Sequence, residues 1–156
     1  MSGDEKAVID RKTIDKIISE TEICHLSCCL EGRPYLIPIS FGYDGETVYI
    51  HTGRRGKKIT FFEGNPRVCL SFVSQAEIVP DEEEACEWSF EFSSVIADGN
   101  ISEITDPEGK SFALNQIMSH YSGRDWDLPE KALKGTRLWM IILENPSGKI
   151  SPSPKK

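Results

Sequence analysis

The chain contains no run of ~18 consecutive apolar residues, the length a membrane-spanning helix needs, and so has no such helix. It has no excess of cations either. Its 25 acidic and 18 basic residues leave a net charge of −7, which excludes binding to nucleic acid by neutralising many phosphates. One local anion site remains compatible with that total. There is no disulfide framework: Cys24, Cys28, Cys29, Cys69 and Cys86 are odd in number and irregularly spaced, and read as reduced thiols. The start, Met1-Ser2-Gly3-Asp4-Glu5-Lys6, lacks the basic and apolar regions of a secretory signal, so a cytoplasmic protein is expected.

What is present describes one soluble domain. Hydrophobic residues at 38% and charged residues at 28% of 156 can build a core without staples. No repeat interrupts residues 8 to 145. A single domain is expected over 8–150, with flexible ends at 1–7 and 151–156; the Pro/Ser/Lys tail already begins at Ser147.

Asp10-Arg11-Lys12-Thr13 opens a helical pattern with Ile14, Ile17 and Ile18 on one stripe. Ile23 to Leu30 alternates as a strand. After Glu31-Gly32, a second strand carries Pro34 and Pro38 and suits an edge or a bulge. Asp44-Gly45 signals a hairpin into a third strand ending at Thr52, which predicts a three-stranded meander. A short helix over 57–64, a strand over 68–73, and two strands joined at Asp98-Gly99 follow. Asp106-Pro107 starts a helix to about His120, and 136–143 is a last strand. About seven antiparallel strands with few helices predict a mainly β fold closed into a small barrel.

The segment Tyr49-Ile50-His51-Thr52-Gly53-Arg54-Arg55-Gly56-Lys57-Lys58 carries the most chemistry. A strand brings an imidazole and a hydroxyl to its end, and a helix then starts at two lysines. Free N–H groups and ammonium groups together suit a phosphate, although neither the Walker pattern nor GxGxxG is present. A solvated basic loop before an ordinary helix is the competing reading.

From this point the sequence resembles the pyridoxamine 5′-phosphate oxidase-like flavin-binding proteins, most closely their nitroimidazole-resistance branch. The resemblance rests on Pro34-Tyr35-x-Ile37-Pro38-Ile39-Ser40-Phe41, Asp44-Gly45, Tyr49-x-His51-Thr52-Gly53-x-x-Gly56-x-Lys58 and Asn65-Pro66-x-Val68-Cys69-x-Ser71-Phe72. Phe92-Ser93-Ser94-Val95-Ile96-Ala97-x-Gly99 and Ser147-Gly148-Lys149 continue the order. It implies an antiparallel split β-barrel of the FMN-binding type, forming a homodimer with flavin at the interface. By the same resemblance, Ile39, Ser40 and Phe41 flank the flavin ring, His51 and Thr52 border its far end, and Gly56, Lys57 and Lys58 hold the phosphate. Ser93 and Ser94 reach the site across the interface.

The expected cofactor is FMN, with FAD admitted if the site is open beyond the phosphate. The expected reaction is reduction of a small nitro-aromatic or related acceptor. A second set of Arg and Lys for a phosphorylated substrate is not evident, which speaks against pyridoxamine-phosphate oxidation. His51 is the candidate proton donor, or else a structural imidazole. Flavin storage or sensing without catalysis, and haem held by His25, His51 or His120, are the alternatives.

Other motifs carry less. Cys24, Cys28 and Cys29 fall on both faces of one strand, so core thiols are preferred over a metal site. His120 suits the end of its helix for dipole reasons. Trp88 and Trp139 are expected in the core, with Trp139 also a candidate to approach the flavin from the partner chain. The acidic run 81–87 reads as solvated, and no metal is expected.

Overall fold

In the computed structural model, which describes residues 6–8 and 10–151, a short strand β1 (Lys6–Val8) precedes helix α1 (Arg11–Glu20). Asp10 caps α1 by accepting from the Thr13 N–H at 2.9 Å, and Ile14, Ile17 and Ile18 are its buried stripe. Strands β2 (Cys24–Leu30) and β3 (Arg33–Ile39) form a hairpin whose turn residues, Glu31 and Gly32, both have positive φ, the geometry of a type I′ turn. Cys24, Leu26 and Cys28 point inward, whereas His25 and Cys29 are exposed. Then come β4 (Gly42–Tyr43), β5 (Thr47–Thr52), α2 (Lys57–Gly64), β6 (Arg67–Val79) and β7 (Ser89–Ile104). Helices α3 (Pro107–Ser122) and α4 (Glu130–Gly135) and strand β8 (Arg137–Ser151) complete the chain. Asp106 caps α3 through the Gly109 N–H at 2.7 Å, with Pro107 in the first turn.

The sheet runs β3-β2-β6-β7-β8-β5-β4, antiparallel throughout, and β1 also pairs with β8. β3 is thus an edge strand, as its prolines indicate. β3 and β4 lie at opposite ends of this order, yet only Ser40 and Phe41 separate Ile39 from Gly42. Three residue steps span at most about 11 Å, so the two edges must meet and the sheet must roll up. The result is a split antiparallel β-barrel with peripheral helices. Phe41 and Phe72 meet edge to face inside it at 5.3 Å, both fully buried, and α1 closes one end with its isoleucines. Burial of each such ring contributes roughly 1.5–3 kcal/mol.

Several expectations are corrected. The expected meander of β2, a single strand over 34–42 and β5 is not formed: 34–42 divides into β3, paired with β2, and β4, paired with β5, because the chain crosses the barrel split at Ser40-Phe41. Asp98-Gly99 is no hairpin. It lies within β7, where the register against β8 shifts between Ile96 and Asp98. A Cβ on Gly99 would stand 2.5 Å from Ile141 Cγ2 and 2.8 Å from the Ile142 carbonyl, so the glycine serves close strand approach next to that irregularity. Residues 147–151 are strand, not a loose tail, since β7 pairs with them as far as Ser151. Lys6–Val8 is likewise paired, whereas 1–5 and 152–156 lie outside the described residues. Trp88 is 54% exposed, not core. Among the described residues no helix is long and apolar enough to cross a membrane.

Candidate functional site

β5 buries Thr47, Val48, Tyr49, Ile50 and Thr52 and leaves His51 exposed, so one strand end presents the imidazole outward and the hydroxyl inward. Thr52 Oγ1 accepts from Trp139 Nε1 at 3.0 Å. Trp139 itself is core, its ring edge-on to Phe62 at 5.4 Å with the Arg137 guanidinium 4.7 Å above it. Arg137 in turn bonds Glu63 of α2 at 2.8 Å and Glu103 of β7. Trp139 therefore reaches an external ligand only through Thr52.

The loop 53–56 is exposed and leads into α2 through Gly56, whose φ of 136° and ψ of 168° belong to a region open only to glycine. The Gly56 carbonyl accepts from the Ile59 N–H at 3.0 Å, and no side chain caps the helix. The first N–H groups of α2, those of Lys57 and Lys58, have no acceptor within the helix. Lys58 is close enough to affect His51: partial burial first, and then the Lys58 charge, lower the imidazole's pKa below its ordinary value. His51 thus takes up a proton less readily than a free imidazole, with the Lys58 charge beside it. Lys57 bends the other way, its Nζ 4.5 Å from the Tyr35 ring centre.

The second part of the site is the crossing at the barrel split. Ile39 and Phe41 are buried and Ser40 is half-exposed. Gly42 pairs with Tyr49, so 39–41 approach the edge that carries His51 and Thr52. Ser40 opens on a cleft of about 610 Å³ shared with Thr21, Glu22, Ile23, His120 and Tyr121. The Tyr121 hydroxyl accepts from the Phe41 N–H at 3.2 Å and donates to the Glu22 carbonyl at 2.6 Å. His120 Nε2 bonds the Thr21 carbonyl at 2.8 Å and its ring lies 4.4 Å from that of Phe41. His120, in the last turn of α3, thus also ties α3 to the end of α1. Sequence reading missed this Tyr121 bridge, whose partners lie far apart in sequence.

Ser93 and Ser94 lie away from the His51 end of this group: His51 pairs with Leu138, Leu138 with Ile104, and Ser93 is eleven positions back along β7 from Ile104. They are nearer the 39–41 crossing, since Ser94 precedes Val95, Val95 pairs with Phe72, and the Phe72 ring meets that of Phe41 at 5.3 Å. Cys24 and Cys28 are buried and Cys29 is exposed, which divides them between two faces; burial pushes the Cys24 thiol up to about 12.

The family model for pyridoxamine 5′-phosphate oxidase matches residues 10–150. The chain belongs to the pyridoxamine 5′-phosphate oxidase family. Within it, the chain is similar to the nitroimidazole-resistance branch. It is 30% identical to a crystal structure of a candidate 5-nitroimidazole antibiotic resistance protein from Bacteroides thetaiotaomicron, with a TM-score of 0.80 over 94% of this chain and 88% of that one. The FAD and haem binding protein from Mycobacterium smegmatis shares the fold, with a TM-score of 0.83 at 20% identity, over 97% of this chain and 76% of that one. An uncharacterized protein of Rhizobium meliloti is 24% identical over 102 residues, covering 65% of this chain and 60% of that protein's length. The family and branch are those that the motifs from Pro34 to Gly99 point to.

Proposed function

We propose that this family member binds a flavin, FMN or FAD, as a homodimer and passes electrons from a reduced nicotinamide donor to a small nitro-aromatic or similar acceptor. The observation that carries the reading is the start of α2. Gly56 in a glycine-only conformation, two unpartnered N–H groups, and Lys58 beside His51 form a cradle for a flavin phosphate. In this reading Gly56, Lys57 and Lys58 hold the phosphate. The backbone of Ile39 and Phe41 and the Ser40 hydroxyl flank the ring, and His51 and Thr52 border its far end, with Trp139 fixing Thr52. A bound flavin supplies the electron transfer; the chain binds it, orients it, and provides a hydrogen-bonding imidazole at His51.

In the homodimer reading, Ser93 and Ser94 of one copy serve the His51 end of the other copy's site, from which eleven positions of β7 separate them within one chain. The outer part of the β6–β7 ribbon also carries an exposed cross-strand pair, Ile78 and Phe90, at 60% and 55% exposure. The resemblance to the Bacteroides protein supports the acceptor class. Haem fits less well, since His120 is committed to the Thr21 carbonyl.

Absorbance of the purified protein after incubation with flavin and desalting tests the reading. A retained flavin spectrum is expected, together with loss of a 5-nitroimidazole when NADH or NADPH is added without oxygen. Retained flavin with no nitro reduction under any donor would reduce the function to flavin storage or sensing. Colourless protein would remove the flavin reading altogether.

A further inference from the structure

Beside the α2 cradle lies a recess of about 490 Å³ lined by Leu30, Arg33 and Pro34 from the β2–β3 hairpin and by Lys57, Thr60 and Phe61 from α2. Lys57 links the two features. Its N–H is the first of the helix start, while its ammonium lies over Tyr35 at 4.5 Å and near Phe61 at 5.6 Å. A ligand whose phosphate sits at the helix start and which continues past that phosphate enters this recess. FMN ends at its phosphate, whereas FAD carries a second phosphate and an adenosine.

The lining suits those additional groups. Lys57 and Arg33 supply two cations. Arg33 is held by Glu31 at 3.3 Å, but both side chains are about three-quarters exposed, at 74% and 76%, so water screens the pair and a phosphate can exchange for the carboxylate. Leu30, Pro34 and Phe61 supply apolar walls, and the Phe61 ring is braced by Tyr35 at 5.1 Å. Thr60, one turn after Lys57, adds an exposed hydroxyl. Two cations beside flat apolar walls suit a phosphate that carries an aromatic base.

We propose that this recess receives the adenylate half of FAD, which makes the protein selective for the dinucleotide over FMN. The second phosphate meets Lys57 and Arg33, and the adenine is held by Leu30, Pro34 and Phe61. The inference rests on reading the α2 start as the flavin phosphate site.

Calorimetric titration of the apo-protein with FMN and with FAD tests it. FAD is expected to bind at least about tenfold more tightly than FMN. Arg33→Ala removes a phosphate partner and Thr60→Trp fills the recess, both at exposed positions. Each is expected to weaken FAD by about tenfold while FMN stays within about twofold. Lys58→Ala, in the cradle, is expected to weaken both flavins together. Equal or weaker binding of FAD by the unaltered protein, or Arg33 and Thr60 variants that weaken both flavins alike, overturns the adenylate assignment and leaves the cradle standing. Failure of both flavins to bind overturns the cradle reading as well.

Discussion

Thr52 and Trp139 are joined by a buried hydrogen bond of 3.0 Å, which fixes the last residue of β5 to the core at the point where the candidate site begins. Both side chains are only 3% exposed, so neither polar group finds water if its partner is lost. Trp139→Phe keeps a ring against Phe62 but leaves the Thr52 hydroxyl unpartnered, at an expected cost of about 1–3 kcal/mol plus lost packing. Thr52→Val in the same chain removes the orphaned hydroxyl and is expected to restore part of that loss. Urea denaturation of the two single variants and the double variant measures the coupling; strict additivity would mean that the bond contributes nothing.

Arg137 extends this connection to α2. It reaches Glu63 at 2.8 Å, bonds Glu103, and lies over Trp139, so one guanidinium links α2, β7 and the Thr52 anchor. The partners are partly exposed and the direct stability loss of Arg137→Met is expected to be about 1 kcal/mol. Local consequences should be larger. Hydrogen exchange in α2 should accelerate selectively, and flavin affinity should fall, because the cradle is the start of the same helix. Uniform acceleration across the barrel would show that Arg137 supports the fold and not the site.

Gly56 offers a cleaner perturbation. Nothing lies within 4 Å of where its Cβ would be, so Gly56→Ala introduces no clash, and its cost comes from φ of 136° alone, about 1–3 kcal/mol. The chain relieves that strain by rotating the loop, which moves the α2 N–H groups. Flavin affinity is expected to drop about tenfold or more with a small change in Tm, read by titration and thermal melting. Unchanged affinity would place the phosphate elsewhere.

What could be read in the sequence was local. The Asp10 and Asp106 caps, the alternation from Cys24 to Leu30, and the helix after Gly56 depend on neighbours within a few residues. The errors came where a remote segment decides. Asp98-Gly99 has the composition of a turn, but β6 and β8 pair with both residues and keep them within a strand. Ser40-Phe41 reads as an unremarkable strand end, yet it crosses the barrel split, because which strands meet is set by the whole sheet. Ser147–Ser151 is polar and looks loose, and is ordered by pairing with β7. In the site, the basic cradle was legible as charge and glycine spacing, whereas the Tyr121 bridge from Phe41 to Glu22 joins residues about eighty to a hundred positions apart and left no local signal.

The lowered pKa of His51 gives a pH dependence of known sign. Desolvation, then Lys58, disfavour the imidazolium in the folded protein, so below the ordinary value of 6.5 the unfolded chain binds the proton more readily. The imidazole is neutral in both states above that range. Stability is therefore lost as pH falls through 6.5 to the lower folded value, and the loss is complete beneath it. Glu103, held down by its hydrogen bonds from Arg137, keeps its contribution above the ordinary 4.5 and loses it only at lower pH. Melting of the apo-protein between pH 7.5 and 5.5 should show a decline that His51→Asn flattens. A bound flavin phosphate favours the imidazolium, so the decline should shrink in the loaded protein. Identical pH profiles for the parent and the variant would remove His51 from the neighbourhood of Lys58.

Ser93 supplies the test of whether a site is shared between two copies. Eleven strand positions separate it from the residue aligned with His51 through β8, so a bulky residue there does not reach the cradle of its own chain. Ser93→Trp and Lys58→Glu are each expected to abolish flavin retention in the homodimer. Co-expression of the two variants should produce mixed dimers. In these, one site receives both altered residues and the other neither, so up to half of the flavin content returns in the mixed species. Differently tagged chains allow that species to be isolated and its absorbance compared with the parent. Mixed dimers without flavin, or a parent that runs as a monomer in light scattering while still holding flavin, would show that each site is built within one chain.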